Sequence, residues 1–450
     1  MSKDIKINKG LDIKLVGEAA KTVSNAPKSR TYTIKPSDFH LITPKMMIKE
    51  GGTFNAGDPI FYSKANESIK FVAPVSGVLK EIKRGAKRVI THIIIESDGK
   101  DTFADYGRVD PATTSAEQLK TRLLSSGLWP FIKQRPYDII ADTDDAPRDV
   151  FISGYNSGPL SPDLEVVLEG KQAELQAAVT ALGKLTEGAV HIGMPKNAKS
   201  IFAELNDVVL HGVSGPHPAG NVGTQINKVK PVNKGETVWT VNAADLVIIG
   251  EHLLTGKFNP ERVVSVSGSC IENPKYYRTK IGSEVSTFLY DAGLKDEKAR
   301  LISGNVLTGE RVAPDGSLGF YHNEFVAIPE GDDYEFFGWN KPVFNKISPT
   351  RALTFSWLTP NKKYDLNTNT NGEHRAFVVT GSYEEVFPLD IFPLQLLKAC
   401  MVEDLDAMEQ MGMYEVAPED FALTEFICIS KQPHQAIIRK GLDLMHQEIG

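Results

Sequence analysis

The sequence predicts a multidomain α/β protein built from four unlike parts. Three observations lead there: short β runs punctuated by turn signals between 41 and 97, strands alternating with helices between about 105 and 257, and a hairpin-then-helix order from Arg262 to Gly293. A closing stretch with helical periodicity supplies the fourth part. At 450 residues, a prior of roughly 150 residues per domain suggests about three domains, each long enough to bury a core.

Taken in order, residues 1–38 alternate apolar and polar (Ile5, Ile7, Leu11, Ile13, Leu15) and are expected to form short strands or an extended arm. Residues 39–103 read as an all-β barrel-sandwich module laid out like a biotinyl or lipoyl carrier. Gly57-Asp58 sits at the hairpin turn, and Ala73-Pro74 with Gly77 marks the return to an outer strand. Lys64 lies in that hairpin, but the E-x-M-K context of a modified lysine is absent. The run from Lys80 to Arg88 adds a cluster of cations around Gly85, which a carrier does not need.

Residues 104–257 have the rhythm of a Rossmann-like, doubly wound α/β domain. Ser115 and Gln118 form the capping box of a helix through Leu124, and 149–153 and 188–192 read as strands around a helix at 171–185. The apolar runs 207–210 and 246–249 are read as strands as well. Residues 258–330 then give a strand (263–266), the turn Asn273-Pro274, a second strand and a helix from Ser283 to Asp291 stopped by Gly293. That order resembles the soluble-ligand-binding β-grasp (SLBB) module, with Ser303-Gly304-Asn305 opening its remaining strands. Residues 331–450 are loop-rich at first, with a polar tract at 367–372, and end in a helical domain predicted from 389–411 and 435–447.

Charge and composition exclude several classes. A net charge of -7 argues against a general nucleic-acid binder. No apolar run approaches the roughly 20 residues of a membrane-spanning helix, and MSKDIKINKG lacks the apolar stretch of a secretory signal, so a cytoplasmic chain is expected. Cys270, Cys400 and Cys428 form no C-x-x-C pair, which disfavours a disulfide framework, a zinc ribbon or an iron-sulfur cluster held by this chain alone. His211 and His217 have no acidic or thiol partner nearby in sequence, so no metal site is assigned. Gly250 to Lys257 (GEHLLTGK) imitates a phosphate loop, but its spacer is too long and Phe258 stands where Ser or Thr would hold magnesium.

Two segments remain unusual. In SSGLWPFIKQRP (125–136), Trp129 and Phe131 offer flat apolar faces while Lys133 and Arg135 offer charge-assisted donors. That pairing suits a quinone ring with its carbonyls; it equally suits a protein interface, and core packing is the plain alternative. In HGVSGPHPAGNVGTQI (211–226), four glycines and two prolines make a loop after a strand, able to approach a ligand or another protein closely or to serve as a rigid turn.

RGAKRV (84–89), LLSSGLWPFIKQRP (123–136), HPAGNVGT (217–224) and VWTVNAADLVIIGEHLLTGKFNPERVV (238–264) together resemble the family of A subunits of the sodium-translocating NADH:quinone reductases, over nearly the whole chain. The fold relatives of that family, the C subunit of the Rnf complex and the flavin-carrying NADH subunit of respiratory complex I, carry a Gly-rich flavin loop and C-x-x-C cluster motifs. Here Ser126-Gly127-Leu128-Trp129-Pro130-Phe131 places rings where their glycines lie, and Cys428 stands alone. The resemblance implies a cofactor-free subunit of a translocase that oxidises NADH, reduces quinone and exports sodium, with NADH, flavins, iron-sulfur and quinone served by other subunits. It implies a peripheral place on the cytoplasmic face of the bacterial inner membrane, docked on a membrane-embedded partner, and no complete active site on this chain. Trp129, Phe131, Arg135, His217 and Gly220 are the expected quinone or interface contacts, with no catalytic or metal residue. The alternatives are a docking subunit that binds no small molecule and a free-standing NADH-flavin oxidoreductase, the latter disfavoured by the missing loop and cysteines.

Overall fold

The computed structural model describes residues 3–450 except 333, 334, 339, 340, 342, 343, 349 and 352, and except the side chains of 353–355. The described residues form four sheets of seven, six, four and three strands. In the largest, Asp4–Lys6, Val209–Ser214, Val190–Pro195, Val150–Ser153 and Val238–Val241 run parallel, and Ile132–Arg135 and Ile139–Ile140 close one edge antiparallel. Successive side chains of Val150–Ser153 leave the sheet on opposite faces. Phe151 meets Ile226 of the helix Val222–Val229, whereas Val150 and Ile152 meet the core shared with the helices Gln172–Gly183 and Ala243–Thr255. Helices therefore cover both faces, as a buried parallel sheet requires.

One sequence expectation fails here. Leu246–Ile249 is not a strand but the middle of the helix Ala243–Thr255, and the strand is the preceding Val238–Val241. The Asn242 side chain caps the helix by accepting from the Ala244 amide at 2.9 Å. Burial of Ala243, Leu246, Ile248, Ile249 and Leu253 explains the misreading, because a helix apolar nearly all round shows no polar face. Gly250 has a packing reason: a Cβ there would stand 1.8 Å from the Glu174 carbonyl oxygen of the neighbouring helix.

The barrel-sandwich part sets Thr31–Ile34, Ile90–Ser97, Gly77–Arg84 and Thr53–Phe54 against Pro44–Met46, Pro59–Ser63 and Lys70–Val72. Phe61 and Phe71 stack at 4.4 Å between the sheets, with Phe39 tilted against Phe71 at 4.4 Å. In the six-stranded sheet, Glu261–Ser267 and Lys275–Lys280 form the expected hairpin, and the helix Val285–Ala292 packs Phe288 on Phe325 before Gly293 ends it at φ 73°. The segment 1–38 is a strand donor to three sheets: Asp4–Lys6 joins the seven-stranded one, Ala20–Asn25 the six-stranded one and Thr31–Ile34 the four-stranded one.

At the C-terminal end the periodic stretch 389–411 is two helices, Pro393–Met401 and Leu405–Gln410. Glu403 at φ 58° breaks the run and Asp404 caps the second helix on the Ala407 amide at 3.0 Å. Ala422–Ile427 and His434–Glu448 complete the helical part, and Cys270, Cys400 and Cys428 are all buried free thiols.

Candidate functional site at a four-way junction

The capped helix Ala116–Ser125 delivers the chain to Gly127, whose φ of 68° turns it back onto the barrel-sandwich part. A Cβ at Gly127 would lie 2.5 Å from Val72, so glycine permits this joint. Trp129 follows, fully buried, donating its indole N–H to the Ala141 carbonyl at 2.7 Å and meeting Trp239 edge-on at 5.3 Å. Phe131 is buried and stacks on Phe320 at 5.1 Å. Arg135, with 1% of its side chain exposed, donates to Asp420 at 2.7 Å and to Glu419 at 2.8 Å. The sequence offered these three side chains to a ligand or a partner, and the structure turns all three inward.

Beyond Arg135 the backbone is strained. Tyr137 and Asp138 hold φ of 78° and 51°, two consecutive left-handed residues that are not glycine. Such conformations cost about 1–3 kcal/mol each and persist where surrounding contacts enforce them. Arg439 does so here by donating to the Tyr137 carbonyl at 2.7 Å, while the Tyr137 ring rests edge-on against His446 at 5.0 Å.

The strained turn forms one wall of a cavity of about 150 Å³ lined by Asp38, Phe39, His40, Lys133, Asp138, Ile139, Ile140, Tyr321, Pro418 and Arg439. All four parts of the chain contribute to it. The Lys133 ammonium lies 4.6 Å above the centre of the Tyr321 ring, and no carboxylate among the described residues comes within ion-pair distance of it. The Tyr321 hydroxyl donates to the Pro130 carbonyl at 2.6 Å, and burial holds its pKa well above the ordinary tyrosine value. Burial also raises Asp38, against the opposing pull of Lys35. At Asp138 burial acts in the same direction but loses to Lys133, Arg135, Arg439 and His40, which hold this carboxylate below its usual range. His40 and Arg439 both reach Asp443, at 2.7 and 2.9 Å.

The arrangement has cationic donors, a stabilised carboxylate and flat apolar walls within one small space. A volume near half the roughly 300 Å³ lower bound of ordinary ligand pockets leaves no room for a dinucleotide. Of the segment chosen from the sequence, Lys133 reaches the cavity, and Phe131 stands behind Tyr321 at 6.5 Å. Asp38, His40, Asp138, Tyr321 and Arg439 were not anticipated.

His217 and Gly220 do not line this cavity. They belong to the loop after Val209–Ser214, which bridges to the end of Val150–Ser153: the Gly220 amide donates to the Ser157 hydroxyl at 2.7 Å and its carbonyl accepts from Ser153 at 2.7 Å. His217 Nδ1 contacts the Ser157 hydroxyl at 3.1 Å, and its amide donates to Asp12 at 3.0 Å. Burial pushes the His217 pKa down to about 4, so the ring is neutral near pH 7. The loop thus fills, with its own contacts, the carboxyl end of the sheet where doubly wound folds place ligands. Among the described residues no group of His, Cys, Asp or Glu is arranged to hold a metal, and no helix is long and apolar enough to cross a membrane.

Three domain families match the chain: the NqrA N-terminal barrel-sandwich hybrid domain over 5–98, the NqrA second alpha/beta domain over 114–258 and the NQRA C-terminal domain over 263–313. Curated relatives extend the match end to end. The A subunit of the Na+-translocating NADH-quinone reductase of Rhodopirellula baltica is 33% identical over 98% of each chain. Its counterparts in Neisseria meningitidis serogroup B and Histophilus somni are 35% and 34% identical, over 99% of this chain and 100% of theirs. The chain belongs to the family of A subunits of the Na+-translocating NADH-quinone reductases. In this member of the family, the cavity opens where the barrel-sandwich and alpha/beta domains meet Tyr321 and the C-terminal helices.

Proposed function

We propose that the chain is a cofactor-free peripheral subunit of the sodium-exporting NADH:quinone reductase, docked on a membrane-embedded partner at the cytoplasmic face of the bacterial inner membrane. In this reading the four-way cavity receives a quinone headgroup. The observation that carries it is Lys133, free of any ion pair among the described residues and poised over Tyr321 beside Asp138. The ammonium donates to a quinone carbonyl, Phe39 and Tyr321 hold the ring, and Asp138 accepts from a hydroquinone hydroxyl. Phe131 and Arg135 act as positioning residues, the first behind Tyr321 and the second tying the Lys133 strand to the C-terminal helices.

The cofactor-free assignment draws support from the inward-packed rings at 129–131, the loop filling the sheet's carboxyl end, and three buried cysteines distant in sequence. NADH, flavin and iron-sulfur chemistry then belongs to other subunits, and this chain acts on rate through positioning alone. Burial of Trp129, Phe131 and Arg135 favours a second reading, a docking subunit that binds no small molecule. Lys133→Met in the assembled complex separates the two. The quinone reading expects intact assembly with KM for a soluble quinone raised roughly tenfold or more, the loss of one charge-assisted hydrogen bond; unchanged quinone kinetics leave the docking role.

A further inference from the structure

The hairpin Gly77–Arg84 and Ile90–Ser97 ends in an exposed cationic tip. Its strands pair Lys83 with His92 and Arg84 with Ile90, and the turn closes through Gly85 N–H to Val89 O at 2.8 Å and Val89 N–H to Ala86 O at 3.2 Å. Residues 83–89 are all exposed, Val89 to 60%. Over 80–89 there are five cations (Lys80, Lys83, Arg84, Lys87, Arg88) and one carboxylate (Glu81), on a chain whose net charge is -7. Lys83, Arg84, Lys87 and Arg88 enter no ion pair among the described residues.

The apex itself is unfavourable for these residue types. Lys87 at φ 52° and Arg88 at φ 60° occupy the two central places of a tight turn that Asn-Gly would fill without strain. The hairpin keeps two cations at its exposed apex where a less strained turn sequence exists. Such an apex is convex, without a cradle for a free phosphate, and it lacks the aromatic faces that interleave with nucleotide bases. A flat anionic surface is its complement: headgroups neutralise the cations while Val89 enters the polar region of the bilayer.

We infer that the 83–89 tip binds anionic phospholipid headgroups and sets the chain against the membrane. The inference rests on the peripheral-subunit reading, and adds to it the lipid-contacting residues. Co-sedimentation of the purified chain with vesicles of phosphatidylcholine alone, and of an equimolar phosphatidylcholine–phosphatidylglycerol mixture, tests it at low and at physiological salt. The wild type should pellet with the anionic vesicles only, and less as salt screens the contact. Lys87→Asn with Arg88→Gly should partition about thirtyfold more weakly, the loss of two near-surface cations, with a thermal midpoint no lower than wild type because Asn-Gly suits the turn. Equal binding by the variant, or no binding to anionic vesicles at low salt, overturns the inference. Co-purification with the remaining subunits is scored on the same variant. Retained assembly without wild-type lipid binding sinks the headgroup role alone, whereas lost assembly without wild-type lipid binding makes the tip a protein contact and also sinks it.

Discussion

The Arg135 guanidinium meets the Asp420 carboxylate at 2.7 Å, with both side chains sealed from solvent. The pair joins the strand that carries Lys133 to the C-terminal helices, and Gly223 packs so closely that a Cβ there would lie 2.5 Å from Asp420. Asp420→Ala leaves the buried Arg135 with the part-exposed Glu419 as its remaining charged partner, and a loss of up to about 3 kcal/mol is expected in urea unfolding. Replacing all three charges, Arg135→Met with Glu419→Gln and Asp420→Asn, should recover most of that loss, because no charge is left unpaired and the Asn side chain still accepts from the Ala417 amide.

Trp129→Phe keeps an aromatic ring and removes the donor that satisfies the Ala141 carbonyl. The expected loss is about 1–3 kcal/mol of stability, read as a lower thermal midpoint. Quinone affinity should stay near wild type, since the indole seats the segment without touching the cavity.

Glu324 is a carboxyl with 8% exposure and one oxygen without a hydrogen-bond partner, and burial raises its pKa from 4.5 to about 7. The folded state therefore holds this proton more tightly than the unfolded chain. Its contribution favours folding at low pH and is lost as pH rises from about 4.5 through about 7, an effect of order 3 kcal/mol. Glu324→Gln should be close to neutral in urea unfolding at the acid end of that window and stabilising at the alkaline end. A variant with the same pH slope as wild type would remove Glu324 as the source.

Gly220→Ala puts a Cβ 2.4 Å from the Tyr155 carbonyl oxygen and 2.6 Å from the Ser157 amide, backbone atoms that cannot step aside cheaply. A loss of about 1–3 kcal/mol is expected, with limited proteolysis showing the 215–221 loop cut faster than in wild type.

The fold was legible where local chemistry dominates. Ser115 and Gln118 marked a capping box that the structure contains, and Gly293 stopped the helix it was expected to stop. Leu246–Ile249 misled because a helix buried all round has no polar face to reveal its period. The candidate site was half legible. The segment 125–136 stood out as unusual, yet burial reversed the roles within it: the rings and Arg135 pack inward, and Lys133 faces the cavity. Asp38, Tyr321 and Arg439 come from three distant stretches, so no spacing in the sequence brings them together; tertiary contact alone makes them neighbours.

Whether the cavity receives a quinone headgroup is tested most directly by titrating the purified chain with a short-tailed soluble quinone, followed by saturation-transfer NMR of the quinone ring and by tryptophan fluorescence. Saturable binding that Lys133→Met weakens roughly tenfold or more, the worth of a charge-assisted hydrogen bond, is the expected result. Absence of saturable binding, or identical binding by wild type and Lys133→Met, would contradict the account and leave the cavity a structural junction.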